Sequence, residues 1–490
     1  MSEASLKPLV YAILFVSSSI AYYFYTNYQE KLSFPVINAY PNDYRRKKAF
    51  ARYEQGAREL IASGFAKFKG PFTLLTPGSP KLILPASLAD WVKANKDLDH
   101  PELVKDDFMS GLPGFEAQTA IHNADRIVVN TIKAKLSKNE ASLPTLSKNV
   151  SDALQKLWGD EETWHDIDWY NGTTGVISQA ASSIFAGPDL SRNPEWQEIT
   201  IKYVMDYFTA VVQLQKWPKS LRPLAHYFNP QSRACKLGIN RVREMLVAEE
   251  AKRESAKKSG VIYNDAIEWT KAAAGDKPID QGAIQLGLAV AALFTTSEAL
   301  RQIILDLCKN QDIVPALREE VQQAIAESGW TMNALFKMKL LDSVMKESQR
   351  TLPALVGLER KALRDTVLPD GTKIPRGSHI AIDSSPMWSP EIYANPERFD
   401  GHRYLKLREA TGAPTYVFTA SSSDHNTFGM GRFMCPGRFF ADTELKLCLA
   451  HILLDFDFRL REGSVPNKII SGFYPMVDPF VKLEVRRVHR

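Results

Sequence analysis

The chain has 490 residues, 44% of them hydrophobic and 24% charged, with a formal net charge of +5. That length exceeds one small core and no linker divides it, so one large domain or two tightly packed lobes is expected. The charge is too small and too dispersed for nucleic-acid binding, and four cysteines without a CxxC pair exclude a disulfide scaffold and suit a reducing compartment.

The first element is apolar. No charged residue occurs among the 22 residues from Pro8 to Gln29, which include LVYAILFVSSSIAYYFY. As a helix they would extend about 33 Å, against a bilayer core of about 30 Å. Tyrosines at the far end suit an interfacial belt. A cleaved signal peptide is the competing reading; the near-neutral start, Lys7 set against Glu3, and the long apolar run disfavour it. Residues 8–29 are therefore expected to lie in the lipid bilayer. RRKK at Arg45 to Lys48 then puts the main domain in the cytosol by the positive-inside rule, where the sequons at Asn149 and Asn171 are unused. The expected division is an anchor at 1–30, a stiff proline-containing and basic connector at 31–48 (Pro35, Pro41), and a catalytic domain at 49–490.

Beyond the connector the chain reads as mostly helical to about residue 350. The charged run Arg241 to Lys258 is expected to be a solvated helix or loop without chemistry. The uncharged run Gly282 to Ser297 is too short for a second span and reads as a buried core helix over Ile284 to Leu307. Glu347 and Arg350, in KESQR, sit at i and i+3 on one helical face. In TVLPDGTKIPRGSHIAI, Asp370-Gly371 between alternating residues signals a hairpin. A helix after Cys435 and short strands close the chain. The fold class is mainly α with a small β-sheet.

Cys435 stands in HNTFGMGRFMCPGRFFADTELKL. Pro436 disfavours a helical Cys435 and suits the first turn of a helix, so Cys435 is expected to be its N-cap. The free N–H groups of Gly437 and Arg438 would face the sulfur and lower its pKa. Gly429 and Gly431 let the preceding backbone fold against something flat or bulky. Zinc would require more cysteine and histidine ligands nearby. A nucleophile would need a base, and only His425 is close. On the residues alone, a single large metal cofactor and a buried structural cysteine both remain open.

FGMGRFMCPG resembles the haem-binding signature FxxGxxxCxG of cytochrome P-450 enzymes, with Phe428, Gly431 and Cys435 at its fixed positions. KESQR matches the ExxR pair, LAVAALFTTSEAL the long helix over the distal haem face, and ANPERFDGHRYLKLRE the segment between ExxR and the haem loop. CPGRFFA with an upstream histidine, and the FDGxRYLKLRE element, resemble fungal microsomal members of secondary metabolism, of terpenoid and indole-diterpene type. The resemblance covers essentially the whole chain.

It implies a cytochrome P-450 fold behind one N-terminal transmembrane helix, and haem b with Cys435 as axial thiolate. A third member of the ExxR network is implied at Arg403 rather than at Arg398 of the literal PERF. Thr295 would hydrogen-bond dioxygen at the haem and help deliver protons, beside Thr296; a threonine bonded back to its own helix is the structural alternative. The family's acid before this pair is replaced by Phe294, so protons would come through water, Thr296 or Glu298. His122 and Arg126, at i and i+4 on one expected helix, Arg360, and His425 match groups that hold the haem. Phe433 stands where the family usually has a cation two residues before the cysteine, with Arg432 one place earlier. The implied reaction inserts one oxygen atom from O2 into a hydrophobic small molecule. Electrons would come from NADPH through a separate membrane-bound reductase, with cytochrome b5 as a further donor, and Arg432, Arg438 and Lys446 would form a basic docking surface. Expected pocket residues are the Phe108 to Phe115 region, Ala291, Phe294, Leu355 and Phe473. The location implied is the endoplasmic reticulum membrane, single-pass. The rival readings are an oxygen-independent haem-thiolate isomerase or dehydratase and a non-catalytic haem-binding membrane protein.

Overall fold

A computed structural model of the chain describes residues 3–28, 32–122, 125–136 and 140–488. It opens with the helix Glu3–Tyr28, whose described apolar side chains, such as Tyr11 and Phe15, are largely exposed. Its described apolar stretch, Val10–Tyr22, is shorter than a full span; among the described residues, only Gln281–Lys309 passes on length and composition, and it is mostly buried in protein.

That second helix is the centre of the molecule. Asp280 caps it by accepting a hydrogen bond from the Ala283 N–H at 3.0 Å. Its apolar residues run all round rather than along one stripe, as a helix enclosed by others requires. The helices Glu116–Ile121, Trp169–Phe185, Pro194–Gln215 and Pro230–Lys258 pack against it. A Cβ at Gly287 would lie 2.5 Å from the Ala117 carbonyl, so only glycine allows Glu116–Ile121 so close. Around it lies the largest core cluster, including the fully buried Trp158 and Trp169.

Helix dominates, but there are four sheets among the described residues instead of one small one. The largest takes its strands in the order Phe72–Leu74, Lys81–Leu84, His379–Asp383, Val356–Ala362, Leu98–Asp99. Lys81–Leu84 runs parallel to His379–Asp383, with Leu82 opposite Ile380; the other pairings are antiparallel. Both of these strands are buried along their whole length. They therefore carry none of the polar–apolar alternation that marks a strand in sequence. The expected hairpin forms, with Thr366 opposite Ile374 and Gly371 in the left-handed region at φ 88°.

The charged run Arg241 to Lys258 is the end of the helix Pro230–Lys258 and is not wholly solvated. Arg253 is 1% exposed and pairs with Glu249 and Asp265, each at 2.8 Å. Isolated charges cannot be buried without such partners.

Candidate active site

Behind the site stands an ion triad. The helix Lys339–Thr351 buries nearly every side chain, and Glu347 and Arg350 within it are fully enclosed. Arg350 donates from Nε to Glu347 Oε2 and from Nη2 to Oε1, both at 2.8 Å. Arg403 Nε reaches the same two oxygens at 3.0 and 3.1 Å. Arg350 Nη1 also donates to the carbonyls of Met387 and Pro396. Arg398 contributes only its carbonyl, so Arg403 is the third member. Each buried charge is thus paired and hydrogen-bonded.

In front of the triad lies the loop carrying Cys435. Gly429 and Gly431 both adopt φ 69°, and the Cys435 N–H donates to the Phe428 carbonyl at 2.8 Å, closing the turn. A Cβ at Gly431 would lie 2.8 Å from Lys93 Cγ. The helix after the loop spans Arg438–Asp455 with Gly437 at its N-cap, two residues later than expected. The N–H groups of Gly437 and Arg438 do bond toward the sulfur. The expected low pKa does not follow in the chain by itself. Burial pushes the Cys435 thiol up, and the two N–H groups with the Arg438 charge pull it only partway back. A cation bound at the sulfur would reverse that balance.

The sulfur opens into a cavity of about 1020 Å³, lined on the far side by Ala291, Phe294, Thr295 and Thr296. Thr295 Oγ1 donates to the Ala291 carbonyl at 2.9 Å, so it is bonded back to its helix and also lines the cavity. Its donated hydrogen is held by that carbonyl, which leaves the oxygen as an acceptor toward the cavity. Phe294 packs on Phe208 with ring centres 5.5 Å apart. Glu298, one turn on, accepts from Arg301 Nη1 at 2.6 Å, from the Val477 N–H at 3.0 Å and from the Tyr170 hydroxyl at 3.2 Å.

A third wall is cationic. Arg126, Arg360 and Arg432 line the cavity together with His100 and His122. The Arg360 and Arg432 guanidiniums lie 4.7 and 4.4 Å from the centre of the Phe433 ring. Burial, with Arg432 beside it, pulls the Arg360 guanidinium down to about 10. Burial and the neighbouring His100 and Arg126 pull His122 down to about 4. Of the acids in the same lining, Asp99 approaches Arg432 only to 3.6 Å, Glu359 is held by Lys81 at 3.2 Å, and Glu102 lies between Lys105 at 3.7 Å and Lys361 at 4.0 Å. Positive charge therefore exceeds its compensation here, as a cofactor with carboxylates requires. The glycine turn, the open sulfur, the cationic wall and the cavity volume all fit haem.

His122 and Arg126 do not share a helix. His122 ends Glu116–Ile121, and Arg126, at φ 53°, precedes Ile127–Lys135. They still meet at one wall, and Arg126 Nη2 donates to the Arg432 carbonyl at 3.4 Å. His425 is 2% exposed and lies outside the cavity lining, behind the loop, 3.4 Å from the Lys346 carbonyl. Lys446 is buried between Asp342 and Asp442, each at 3.0 Å, so it offers nothing to a docking partner. Of the expected pocket residues, Ala291 and Phe294 line the cavity. Leu355 and Phe473 belong instead to the core under the sheet, and no residue from 108 to 115 lines the cavity: Phe108 packs on Phe208, and Phe115 on Tyr207 and His226. His100 was not expected at all; it accompanies His122 at 5.8 Å between ring centres, and nothing in LDHPEL marks it.

Comparison with known proteins agrees with this geometry. The cytochrome P450 family profile matches residues 116–480. The chain is 35% identical over 473 residues to the cytochrome P450 monooxygenase adrA of Penicillium rubens, covering 93% of this chain and 92% of that protein. It is 36% identical over 445 residues to the cytochrome P450 monooxygenase hepE of Aspergillus oryzae, covering 88% and 81%. Identity to pyr3 of Aspergillus fumigatus, another such monooxygenase, is 34% over 455 residues, covering 91% and 87%. The fold is similar to that of a cyanobacterial structure, retinoic acid-bound CYP120A1, with a TM-score of 0.65, 20% identity, and coverage of 93% of this chain and 99% of that one. Agreement of this extent in sequence and fold places the chain in the cytochrome P450 family: it is a haem-thiolate monooxygenase that takes its electrons from a reductase.

Proposed function

We propose that Cys435 is the haem ligand and that the enzyme oxygenates a hydrophobic, terpenoid-type intermediate of fungal secondary metabolism. The observation that carries this reading is the single cavity joining the Cys435 sulfur to Thr295 across apolar side chains. Bound haem supplies dioxygen activation, with the thiolate favouring O–O cleavage. Arg126, Arg360, Arg432 and His122 would hold the propionates, with His100 beside them. Phe428 and Gly431 would shape the turn that faces the cofactor, and His425 would support that turn from behind. Thr295 Oγ1 would hold and pass a proton at the reacting oxygen once it swings away from the Ala291 carbonyl. Thr296 is buried beside it and supports that route. Phe294 and Ala291 would exclude water and orient an apolar substrate.

The domain division proposed is 1–30, 31–48 and 49–490. Residues 8–29 would cross the endoplasmic reticulum membrane once, leaving the catalytic domain cytosolic. The exposed apolar face of the N-terminal helix and the Arg45 to Lys48 run support this. Electrons would come from a membrane-bound NADPH-cytochrome reductase, with cytochrome b5 as a second donor.

The test has two parts. Reduced protein with carbon monoxide should show the red-shifted Soret band of a thiolate-ligated haem; an imidazole-type spectrum rejects Cys435 as ligand. Deletion of the gene should make an apolar terpenoid precursor accumulate, which the full-length enzyme with reductase and NADPH then oxygenates. Accumulation of a polar or non-terpenoid precursor rejects the substrate class.

A further inference from the structure

We propose that a small cleft between the connector and the loop after helix Pro194–Gln215 binds the phosphate of an anionic membrane lipid. The cleft encloses about 170 Å³ and is lined by Arg45, Arg46, Lys216, Lys219 and Arg222, with no acidic residue in its lining. It is separate from the catalytic cavity, with which it shares no lining residue.

The floor is built rather than incidental. Arg222 is 6% exposed, yet its contacts are carbonyls: Nη2 donates to Gly78 at 3.0 Å and Pro77 at 3.3 Å, and Nε to Trp217 at 3.2 Å. The two carboxylates that act on it, Asp107 and Asp106, are each engaged elsewhere, Asp107 by Lys81 and Asp106 by Lys361 at 2.7 Å and His379 at 3.0 Å. Around the rim, no carboxylate pairs with Arg45, Lys216 or Lys219 among the described residues. Asp43 lies near in sequence, but its two oxygens accept from the N–H groups of Lys48 and Ala49, each at 2.9 Å. Three cations without a carboxylate partner among the described residues, Arg45, Lys216 and Lys219, surround one buried guanidinium in a lining that holds no acidic residue, and that calls for an anion.

The size selects the anion. The cleft is far below the roughly 300–1,000 Å³ of a site for a drug-sized molecule, so a phosphate group fits and a nucleotide does not. The surroundings select its source. Trp217 stands half exposed beside Arg45, 6.0 Å from guanidinium carbon to ring centre. Leu224, Tyr227 and Phe228, just beyond Arg222, are all exposed. Basic groups interleaved with exposed aromatic and aliphatic side chains suit a headgroup boundary. The connector delivers Arg45 there soon after the apolar N-terminal segment. The lipid source rests on the membrane-anchor reading; the phosphate chemistry does not.

The test uses full-length, haem-loaded protein in detergent, incubated with equal amounts of phosphatidylcholine and phosphatidic acid and read by native mass spectrometry. Phosphatidic acid should be retained about tenfold over phosphatidylcholine, and Lys216→Ala/Lys219→Ala should abolish the preference while leaving haem content unchanged. Equal retention of both lipids, or a preference that survives the double variant, overturns the proposal. Displacement by glycerol 3-phosphate at the lipid's own concentration overturns the lipid assignment in favour of a soluble phosphate. Alkaline carbonate extraction of the wild-type chain from microsomes reads the anchor independently, so its failure is not mistaken for failure of the cleft.

Discussion

The two sides of the catalytic cavity are built on different terms. Behind Cys435, both oxygens of Glu347 are engaged by two arginines, the Cys435 loop is closed by its own backbone, and the triad grips Met387, Pro396 and Arg398 in the segment that precedes the loop. Across the cavity, Ala291, Phe294 and Thr295 hang from one helix, and Thr295 bonds only to that helix. The first side has many partners per residue and no freedom; the second has a rigid backbone and few obligations at its side chains. Chemistry common to a family can be fixed in the first, while substrate fit and proton supply can vary in the second at little cost to folding.

That contrast can be broken in order of effect. Cys435→Ser should remove the thiolate spectrum and all monooxygenation; retained turnover with NADPH and reductase would mean the proximal side is not what it is taken to be. Glu347→Gln leaves Arg350 and Arg403 without their carboxylate. Breaking a buried pair costs roughly 3–5 kcal/mol, a large share of the typical 5–15 kcal/mol of a fold. The denaturation midpoint and retained haem should both fall. Thr295→Ala should leave stability within about 1 kcal/mol but lower product per NADPH several-fold, with peroxide released instead. Thr295→Ser should restore coupling. Unchanged coupling in the alanine variant would reject the proton role.

The smallest effect lies where the two sides meet. Asp306, near the end of the central helix, accepts from Gln302 at 2.9 Å and from Thr351, on the triad helix, at 3.2 Å. Burial raises its pKa from 3.8 to about 6 against those hydrogen bonds. Between these values the folded state keeps a proton that the unfolded state has lost, so stability falls as pH rises through that window. Asp306→Asn should therefore raise the melting temperature at pH 7 and change it little near pH 4. An equal shift at both values would show that the gain is packing and not titration.

What was legible in the sequence follows the same division. Cys435, Glu347 and Arg350 sit at short fixed spacings, because one turn or one helical face makes the contact. Arg403 was legible through its neighbours FDG and RY. His100 was not, because it meets His122 and Arg360 only after distant segments are brought together. The strands Lys81–Leu84 and His379–Asp383 are buried on both faces, which erases alternation. Lys446 and Arg253 looked like surface charge, since the carboxylates that allow their burial lie on other turns or other helices. Leu355 and Phe473 looked like pocket residues because apolarity alone does not distinguish a core from a cavity wall.

Phe433 carries a further consequence. The guanidiniums of Arg360 and Arg432 both lie against its ring, 4.7 and 4.4 Å from its centre, and it contributes no charge of its own. A cation at 433 would bring a fourth positive group to the wall of Arg126, Arg360 and Arg432, where burial and Arg432 already hold Arg360 below its normal range. The aromatic ring at 433 and the charge at Arg432 thus work as one unit over two adjacent positions. Changes at 432 and 433 should be tolerated together more readily than either is alone.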